Sequence, residues 1–406
     1  MANGNSNNKG NGSQGSALWR WLHLSDLHMG CAGEPWRQQA MEAFRDDIVK
    51  MKNDLGGPPE LIFLTGDVTN EGKPGEFEKV DVFLEELIGT LGMGSQKPLV
   101  IPVPGNHDLV RPGEEATEYV IFNHFKEGHN NRYIKGLRKK NWDGNPPDTR
   151  LYGALFNNYL EWLDRIEETY LKGSQITVYR SHFPGDLSVR IEASGKPALT
   201  VVGLNATWMQ CEDGDYQGRM ELWDEQFRKV WTSTPADKDQ MALLLLHHPP
   251  EWLSPESRRV FNELVYPSEP ERFLACLYGH VHEASTTEIA IGGGKNRTFL
   301  QALSLFGLKH YATSKVDRRI GYNWGELRAG GEIRLWPREY LSRKDGTGKF
   351  ARDHLLAVNA DDVIMRKPDT TAKPGPGTTT STKSDFSVQA YKDWAKEKFG
   401  SIEQIG

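Results

Sequence analysis

The sequence opens into order at "ALWRWLHLSDLH", where a short apolar run from Leu18 to Leu24 stops at polar residues. The same pattern recurs in "ELIFLTGD", "PLVIPVPGNHD", "ALTVVGLNAT", "MALLLLHHPP" and "FLACLYGHVH". Nearly continuous Leu, Ile and Val runs of this length predict strands buried on both faces. Helical patterns intervene at Trp36 to Leu55 and Glu76 to Leu91. Alternating strand and helix implies βαβ crossovers and an α/β domain. Ligands bind such sheets where the strands end, and the polar clusters all follow the strands on that side. Asp26, Asp67, Asn106, His247 and His280 should therefore share one rim, although they span most of the chain.

Two regions depart from this rhythm. About 111–172 is charged and aromatic and reads as a helical insertion between strands, overhanging the rim. After Arg297 the chain turns β-like. Gly330 and Gly331 join two alternating runs as a hairpin, expected among the last strands of the second sheet. The domain is expected to cover 17–366. Before it, 1–16 is rich in Asn, Gly and Ser and reads as a disordered tail. After it come a Pro/Thr/Gly linker at 367–384 and an amphipathic helix at 385–406. On that helix Val388, Tyr391, Ala395 and Phe399 share a face beside Trp394, so it needs a partner surface or a further domain.

Composition narrows the function classes. The 406 residues carry 49 Lys and Arg against 55 Asp and Glu, a net charge of −6. That balance disfavours wholesale wrapping along nucleic acid but leaves room for a local basic groove. Cys31, Cys211 and Cys276 are far apart and form no metal or disulfide pattern, as expected of a cytoplasmic protein. No apolar run approaches a membrane span, and the first residues have no apolar stretch of the secretory kind.

The candidate chemistry lies in five clusters: Asp26-Leu27-His28, Gly66-Asp67, Gly105-Asn106-His107-Asp108, His247-His248-Pro249 and Gly279-His280-Val281-His282. Singly, each has a plain alternative. Asp26 could cap a helix, Asp67 hold a turn, Asn106 sit in a tight turn and His247 be a core histidine. Five clusters, each closing a strand, are hard to explain as five separate accidents. Oxygen and imidazole donors without thiolate suit Mn²⁺, iron or Zn²⁺ rather than a structural zinc. Residues i and i+2 of an extended segment face one side. Asp26 and His28 could then reach one ion, and His280 and His282 could reach two ions about 3.5–4 Å apart. Two carboxylates under two divalent ions leave a positive site that attracts phosphate.

In order and content the clusters resemble the signature of the calcineurin-like metallophosphoesterases: D-x-H, G-D, G-N-H-D/E, H and G-H-x-H, over about 18–340. The resemblance implies two packed mixed β-sheets flanked by helices, a four-layer α/β/β/α fold, with two divalent ions at the strand ends. Carried over residue by residue, it gives Asp26, His28, Asp67 and His282 to one ion. Asp67, Asn106, His247 and His280 go to the other, with Asp67 bridging. His247 is preferred to His248 because it stands two residues before Pro249. A metal-bridging hydroxide would attack phosphorus, and His107 would protonate the leaving oxygen or stabilise the transition state. Asp108 would orient His107 or serve structure alone.

Within the family, "GDVTNEGKPGEF" lacks the arginine that follows this block in Ser/Thr phosphoprotein phosphatases. No tyrosine ligand of the purple acid phosphatase kind can be placed, and G-N-H-D differs from the G-N-D of lipid A-pathway diphosphatases. The chain is similar both to class III cyclic-nucleotide phosphodiesterases and to SbcD-type nucleases. The expected substrate is a phosphodiester of nucleotides or nucleic acid. "RYIKGLRKK" (132–140), with Tyr133 and Trp142, is a candidate contact for phosphates and bases. The alternatives are a catalytic effector module of a larger, defence-related protein, or a phosphomonoesterase.

Overall fold

The computed structural model describes residues 17–31, 35–94, 96–116, 119, 149–181, 183–210, 212, 214, 216–231, 241–267, 272–280, 286–289, 297–306, 319–342, 348–353, 356 and 363–366. The elements of the first half are β1 (Ala17–Leu24), α1 (Pro35–Asp54), β2 (Leu61–Thr65), α2 (Pro74–Leu91), β3 (Leu99–Val103), α3 (Thr149–Tyr170), β4 (Ile176–Arg180) and β5 (Leu187–Ile191). They continue with β6 (Leu199–Gly203), α4 (Asp224–Trp231), β7 (Met241–Leu245), α5 (Pro255–Val260), β8 (Ala275–Tyr278), β9 (Thr286–Ile289) and β10 (Arg297–Gln301). Last come β11 (Gly321–Arg328), β12 (Ile333–Ser342), β13 (Gly348–Arg352) and β14 (Ile364–Arg366).

These strands form two mixed sheets, the architecture expected from the sequence. One runs β13-β12-β11-β1-β2-β3, with β14 beside β12; the other runs β4-β5-β6-β7-β8-β10-β9. In the first sheet β1, β2 and β3 are parallel, and in the second β6, β7, β8 and β10 are. Parallel strands deliver their C-terminal ends to the same edge, which is what collects the polar clusters.

The alternation of the second sheet divides its side chains between two cores. Val201, Leu243, Leu245, Ala275 and Leu277 join the core shared with the first sheet. Val202, Leu244, Leu246, Cys276 and Tyr278 face the other way, onto Phe227 and Val230 of α4 and Phe261 and Val265 just beyond α5. On the first sheet's side, α1 presents Ala40, Phe44, Ile48 and Met51, three or four residues apart and all buried. Phe44 meets Tyr322 edge-on with ring centres 5.1 Å apart. Burying a side chain of this size contributes about 1.5–3 kcal/mol. A buried clamp adds direction: Arg338 grips Asp47 of α1 through Nη2 at 2.6 Å and Nε at 2.8 Å, and Tyr322 donates to the same carboxylate at 2.7 Å.

Two expectations are corrected. The Gly330–Gly331 hairpin does not end the second sheet. It joins β11 to β12 in the first, where β11 pairs antiparallel with β1. Both sheets need late strands, and alternation alone does not say which edge a hairpin takes. The helix at the end of the insertion, α3, packs into the core and does not overhang the rim, while 120–148 lie outside the described residues. Phe156, Tyr159, Trp162 and Ile166 are buried, and the Trp162 ring lies 5.3 Å from Phe77 of α2. The basic stretch 132–140 lies outside the described residues. So do 1–16, 367–384 and 385–406. The chain divides into the units Met1–Pro368 and Asp369–Gly406, the second of which also lies outside them. No helix of the described residues is long and apolar enough to cross a membrane.

Candidate metal centre

The rim is built from turns that regular strands cannot make. Among the described residues, the non-glycine residues with positive φ are Asp26 (54°), His28 (44°), Asp67 (52°) and His280 (70°). Left-handed backbone is costly for such residues and collects at functional sites. This also corrects the extended-segment argument. Asp26 and His28 do converge, with His28 Nε2 3.9 Å from Asp26 Oδ1, but through left-handed turns rather than by strand alternation.

The glycines in the clusters have a steric reason. A Cβ at Gly105 would stand 2.1 Å from both N and Oδ1 of Asp67. One at Gly279 would stand 1.8 Å from Ser25 Oγ and 2.9 Å from Asp26 Oδ2. Only bare backbone lets the third cluster close on the second and the fifth close on the first. Main-chain bonds complete the closure. His28 N donates to Asp67 O at 2.9 Å, and Gly279 N to His247 O at 3.1 Å. His107 N donates to Asp67 Oδ1 at 2.8 Å and His280 N to Asp26 Oδ2 at 3.2 Å.

Asp67 Oδ1 being occupied, its Oδ2 faces the site. It lies 3.3 Å from His247 Nε2 and 4.0 Å from His28 Nε2. His247 Nε2 also lies 3.1 Å from Asn106 Oδ1 and 3.1 Å from His280 Nδ1, while its Nδ1 sits 2.7 Å from the Thr65 carbonyl. A backbone carbonyl only accepts, so Nδ1 carries a hydrogen there. In the neutral ring Nε2 then presents a lone pair toward the oxygens of Asp67 and Asn106 and the His280 ring. Lone pairs converging at such distances require a proton or a cation between them. Donor atoms of Asp26, Asp67 and His247 lie within 4.8 Å of one another, as do those of His28, Asp67 and His107, and those of His247, His248 and His280. The site thus fits divalent ions by its donor chemistry.

The electrostatics agree. Burial alone would raise Asp67, but the imidazoles of His247, His107 and His28 reverse it and hold the carboxyl well below the usual carboxylate range. Burial would likewise lower His247, yet the Asp67 carboxylate outweighs it and pushes the imidazole up to about 9. Burial, then the neighbouring His280 and His247, keep His248 neutral, well below its ordinary value.

His248 Nε2 turns to Gln210 Oε1 at 2.8 Å, and its ring packs 4.1 Å from that of His280. Trp252 packs against both rings, with its centre 4.4 Å from that of His280 and 5.3 Å from that of His248. Of the third cluster, His107 Nδ1 sits 2.8 Å from the Asn70 carbonyl. The Asp108 carboxylate makes no bond to the His107 ring and reaches this residue only through Thr69, whose Oγ1 lies 3.0 Å from His107 O. The Asp108 carboxylate accepts from Thr69 N and Thr69 Oγ1, each at 2.8 Å, and from Gly105 N at 2.8 Å. It ties the second and third clusters together. Burial, then the Asp67 carboxylate, push it up to about 6. His282 lies outside the described residues.

Several supports had no sequence signal. Arg37, in the first turn of α1, donates to the carbonyls of Leu27 at 2.6 Å and His28 at 3.1 Å. Ser304 Oγ donates to Asp26 O at 3.1 Å. Asn70, three residues after Asp67, was visible only as the absence of another family's arginine motif.

Comparison with known proteins matches residues 20–284, well over half of the chain, to the calcineurin-like phosphoesterase family. A "Probable cyclic nucleotide phosphodiesterase" of Rhodococcus erythropolis is 24% identical over 192 residues. The match takes in 45% of this chain and 59% of that protein, so it spans less than two thirds of the relative. Among solved structures, purple acid phosphatase PPD1 of yellow lupin (Lupinus luteus) aligns over 90% of this chain and 57% of its own, at 13% identity and TM-score 0.43. Vps29 of Chaetomium thermophilum aligns over 86% and 97%, at 9% identity and TM-score 0.32. At that likeness neither structure bears on function. The family match covers the five clusters and the strands that carry them, and the chain belongs to the calcineurin-like phosphoesterase family.

Proposed function

We propose that this chain hydrolyses phosphodiester bonds of nucleotides or nucleic acid at a centre of two divalent ions. One ion would be held by Asp26, His28, Asp67 and His282, the other by Asp67, Asn106, His247 and His280. The observation that carries the proposal is the position of Asp67 Oδ2, a single buried oxygen facing both His28 and His247. A shared carboxylate between two donor groups suits two adjacent cations rather than one. Mn²⁺ is the first candidate, with iron or Zn²⁺ as alternatives.

When bound, the two ions would supply Lewis-acid charge for the phosphoryl oxygens and lower the pKa of a water molecule. The chain's own residues do the rest. The bond from His107 Nδ1 to the Asn70 carbonyl fixes the ring, leaving Nε2 as the atom that exchanges a proton. In its protonated form Nε2–H donates to the leaving oxygen. The His107 and His28 rings meet edge-on with centres 4.8 Å apart, which supports a role for His107 next to His28, a proposed ligand of the first ion. Asp108 holds the loop and takes no part in proton transfer. The choice of a diester is supported by the G-N-H and G-H-x-H clusters and by the description of the Rhodococcus relative.

The test is a substrate panel with Mn²⁺: a chromogenic phosphodiester and monoester, 2′,3′- and 3′,5′-cyclic nucleotides, and single- and double-stranded DNA and RNA. Diester cleavage is expected. Cleavage of the monoester alone would refute the proposal.

A further inference from the structure

We propose that Asp186, remote from the clusters in sequence, is a positioning residue for the second ion's ligands. It would act through the loop Asn205–Gln210, which it anchors beneath Asn106, His247 and His280. The inference rests on the dinuclear reading above.

Asp186 is 1% exposed and precedes β5 at the turn from β4. Its Oδ1 accepts from Asn205 N at 2.7 Å and Gln226 Nε2 at 3.1 Å, and its Oδ2 from Ser181 Oγ at 3.0 Å. None of these partners is a cation. Burial pushes its carboxyl up to about 7 against the pull of these donors. A buried acid without a counter-charge is costly to keep, and here two of its three bonds, from Asn205 N and from Gln226 Nε2, lead to one piece of backbone.

That piece is the end of β6. Asn205 Nδ2 donates to Pro184 O at 2.8 Å, and Gln226 Nε2 to Asn205 O at 2.8 Å. Asn205 Oδ1 accepts from Thr207 N at 2.8 Å. From Thr207 two arms reach the centre. In the first, Thr207 Oγ1 lies 3.3 Å from Gly105 O, next to Asn106. The same turn presses on this loop directly, since a Cβ at Gly185 would stand 2.8 Å from Pro104 Cγ. In the second, Gln210 N donates to Thr207 O at 2.9 Å. The Gln210 side chain then holds His248, whose ring backs His280. Outer-shell groups of this kind set the orientation of metal ligands.

The experiment measures Mn²⁺ affinity of the full chain by calorimetry, alongside the melting temperature of the metal-free protein and turnover. Asp186→Ala should weaken binding of one ion by about tenfold or more, and Asp186→Asn, which keeps the Oδ1 acceptor, should restore it to within about threefold of wild type. A purely structural role would lower the melting temperature and leave affinity unchanged in the folded protein. Folded Asp186→Ala with wild-type affinity would overturn the inference. If Asp186→Ala does not fold, the double variant Thr207→Val with Gln210→Leu decides, because it cuts both arms: the Thr207 hydroxyl contacts to Gly105 O at 3.3 Å and Asn205 Oδ1 at 2.9 Å, and the Gln210 bond to His248; wild-type affinity in this variant would overturn the inference equally. Asp67→Ala separates the two levels. If it too binds Mn²⁺ normally, the dinuclear reading fails. If it loses binding while the Asp186 variants do not, only the role of Asp186 fails.

Discussion

His247 Nε2 stands 3.1 Å from Asn106 Oδ1 across 141 residues of sequence, with Asp67 Oδ2 at 3.3 Å on the same side. Without a metal, a proton on His247 relieves this crowding of acceptors, and Asp67 pushes that imidazole up to about 9. A metal ion must displace the proton. Mn²⁺ affinity should therefore rise by up to about tenfold per pH unit between neutrality and pH 9. Calorimetry in buffers of different ionisation enthalpy should show at least about one proton released per chain at pH 7.5, the one from His247, with any further release coming from metal-bound water. Affinity that ignores pH in this range would show that His247 is not a ligand.

The same proton sets the stability of the metal-free protein. A histidine with a raised folded pKa stabilises fully below its unfolded value, near 6.5, and loses that contribution as pH rises through about 9. Asp186, raised to about 7, works in the same direction at the lower end of this window. His23 and His248, lowered by burial, stabilise above 6.5 and lose that contribution below it, so they do not oppose the trend. In the presence of a chelator the melting temperature should fall from pH 7 to pH 9, and Mn²⁺ should reverse the fall. A rising melting temperature under chelation would contradict the charge assignment.

His107 is held by the Asn70 carbonyl and is not among the proposed ligands. His107→Gln should keep Mn²⁺ affinity near wild type and lower kcat by about 10²–10⁴-fold. The loss should be larger for an alkyl leaving group, which needs a proton, than for nitrophenolate, which does not. Equal losses on both would assign His107 to transition-state charge rather than proton donation.

Gly105→Ala tests the steric logic of the rim. The added Cβ would fall 2.1 Å from Asp67 Oδ1, so Asp67 or the Asn106 loop must move. The cost should be about 2 kcal/mol or more in denaturant unfolding, with loss of metal binding. An unperturbed Gly105→Ala protein would mean that the two loops are not in contact.

How legible the site was differs by residue. Asp26, Asp67, Asn106, His247 and His280 were visible because each closes an apolar run, and parallel strands must bring such ends together. The hairpin of β4 and β5 is not legible, since "ITVYR" is a run interrupted by polar residues rather than continuously apolar, and its strand is half-exposed. The backbone conformation at Asp26, His28, Asp67 and His280 is also hidden, because aspartate and histidine, although enriched at positive φ, adopt it only at a minority of positions. Arg37, Gln210, Trp252 and Asp186 support the site through contacts that only the fold creates. Asp108 was legible as part of a motif, but its work is visible only in its bonds to Thr69 and Gly105.

The most direct test of the central claim is metal content and diester turnover measured together on the wild type and Asp67→Ala. Loaded with Mn²⁺, the wild type should hold two ions per chain and cleave bis(p-nitrophenyl) phosphate, with activity lost to chelation and restored by Mn²⁺. Asp67→Ala should lose both the paired ions and turnover. Full diester cleavage by folded Asp67→Ala would contradict the account, as would wild-type turnover undiminished after the ions are removed.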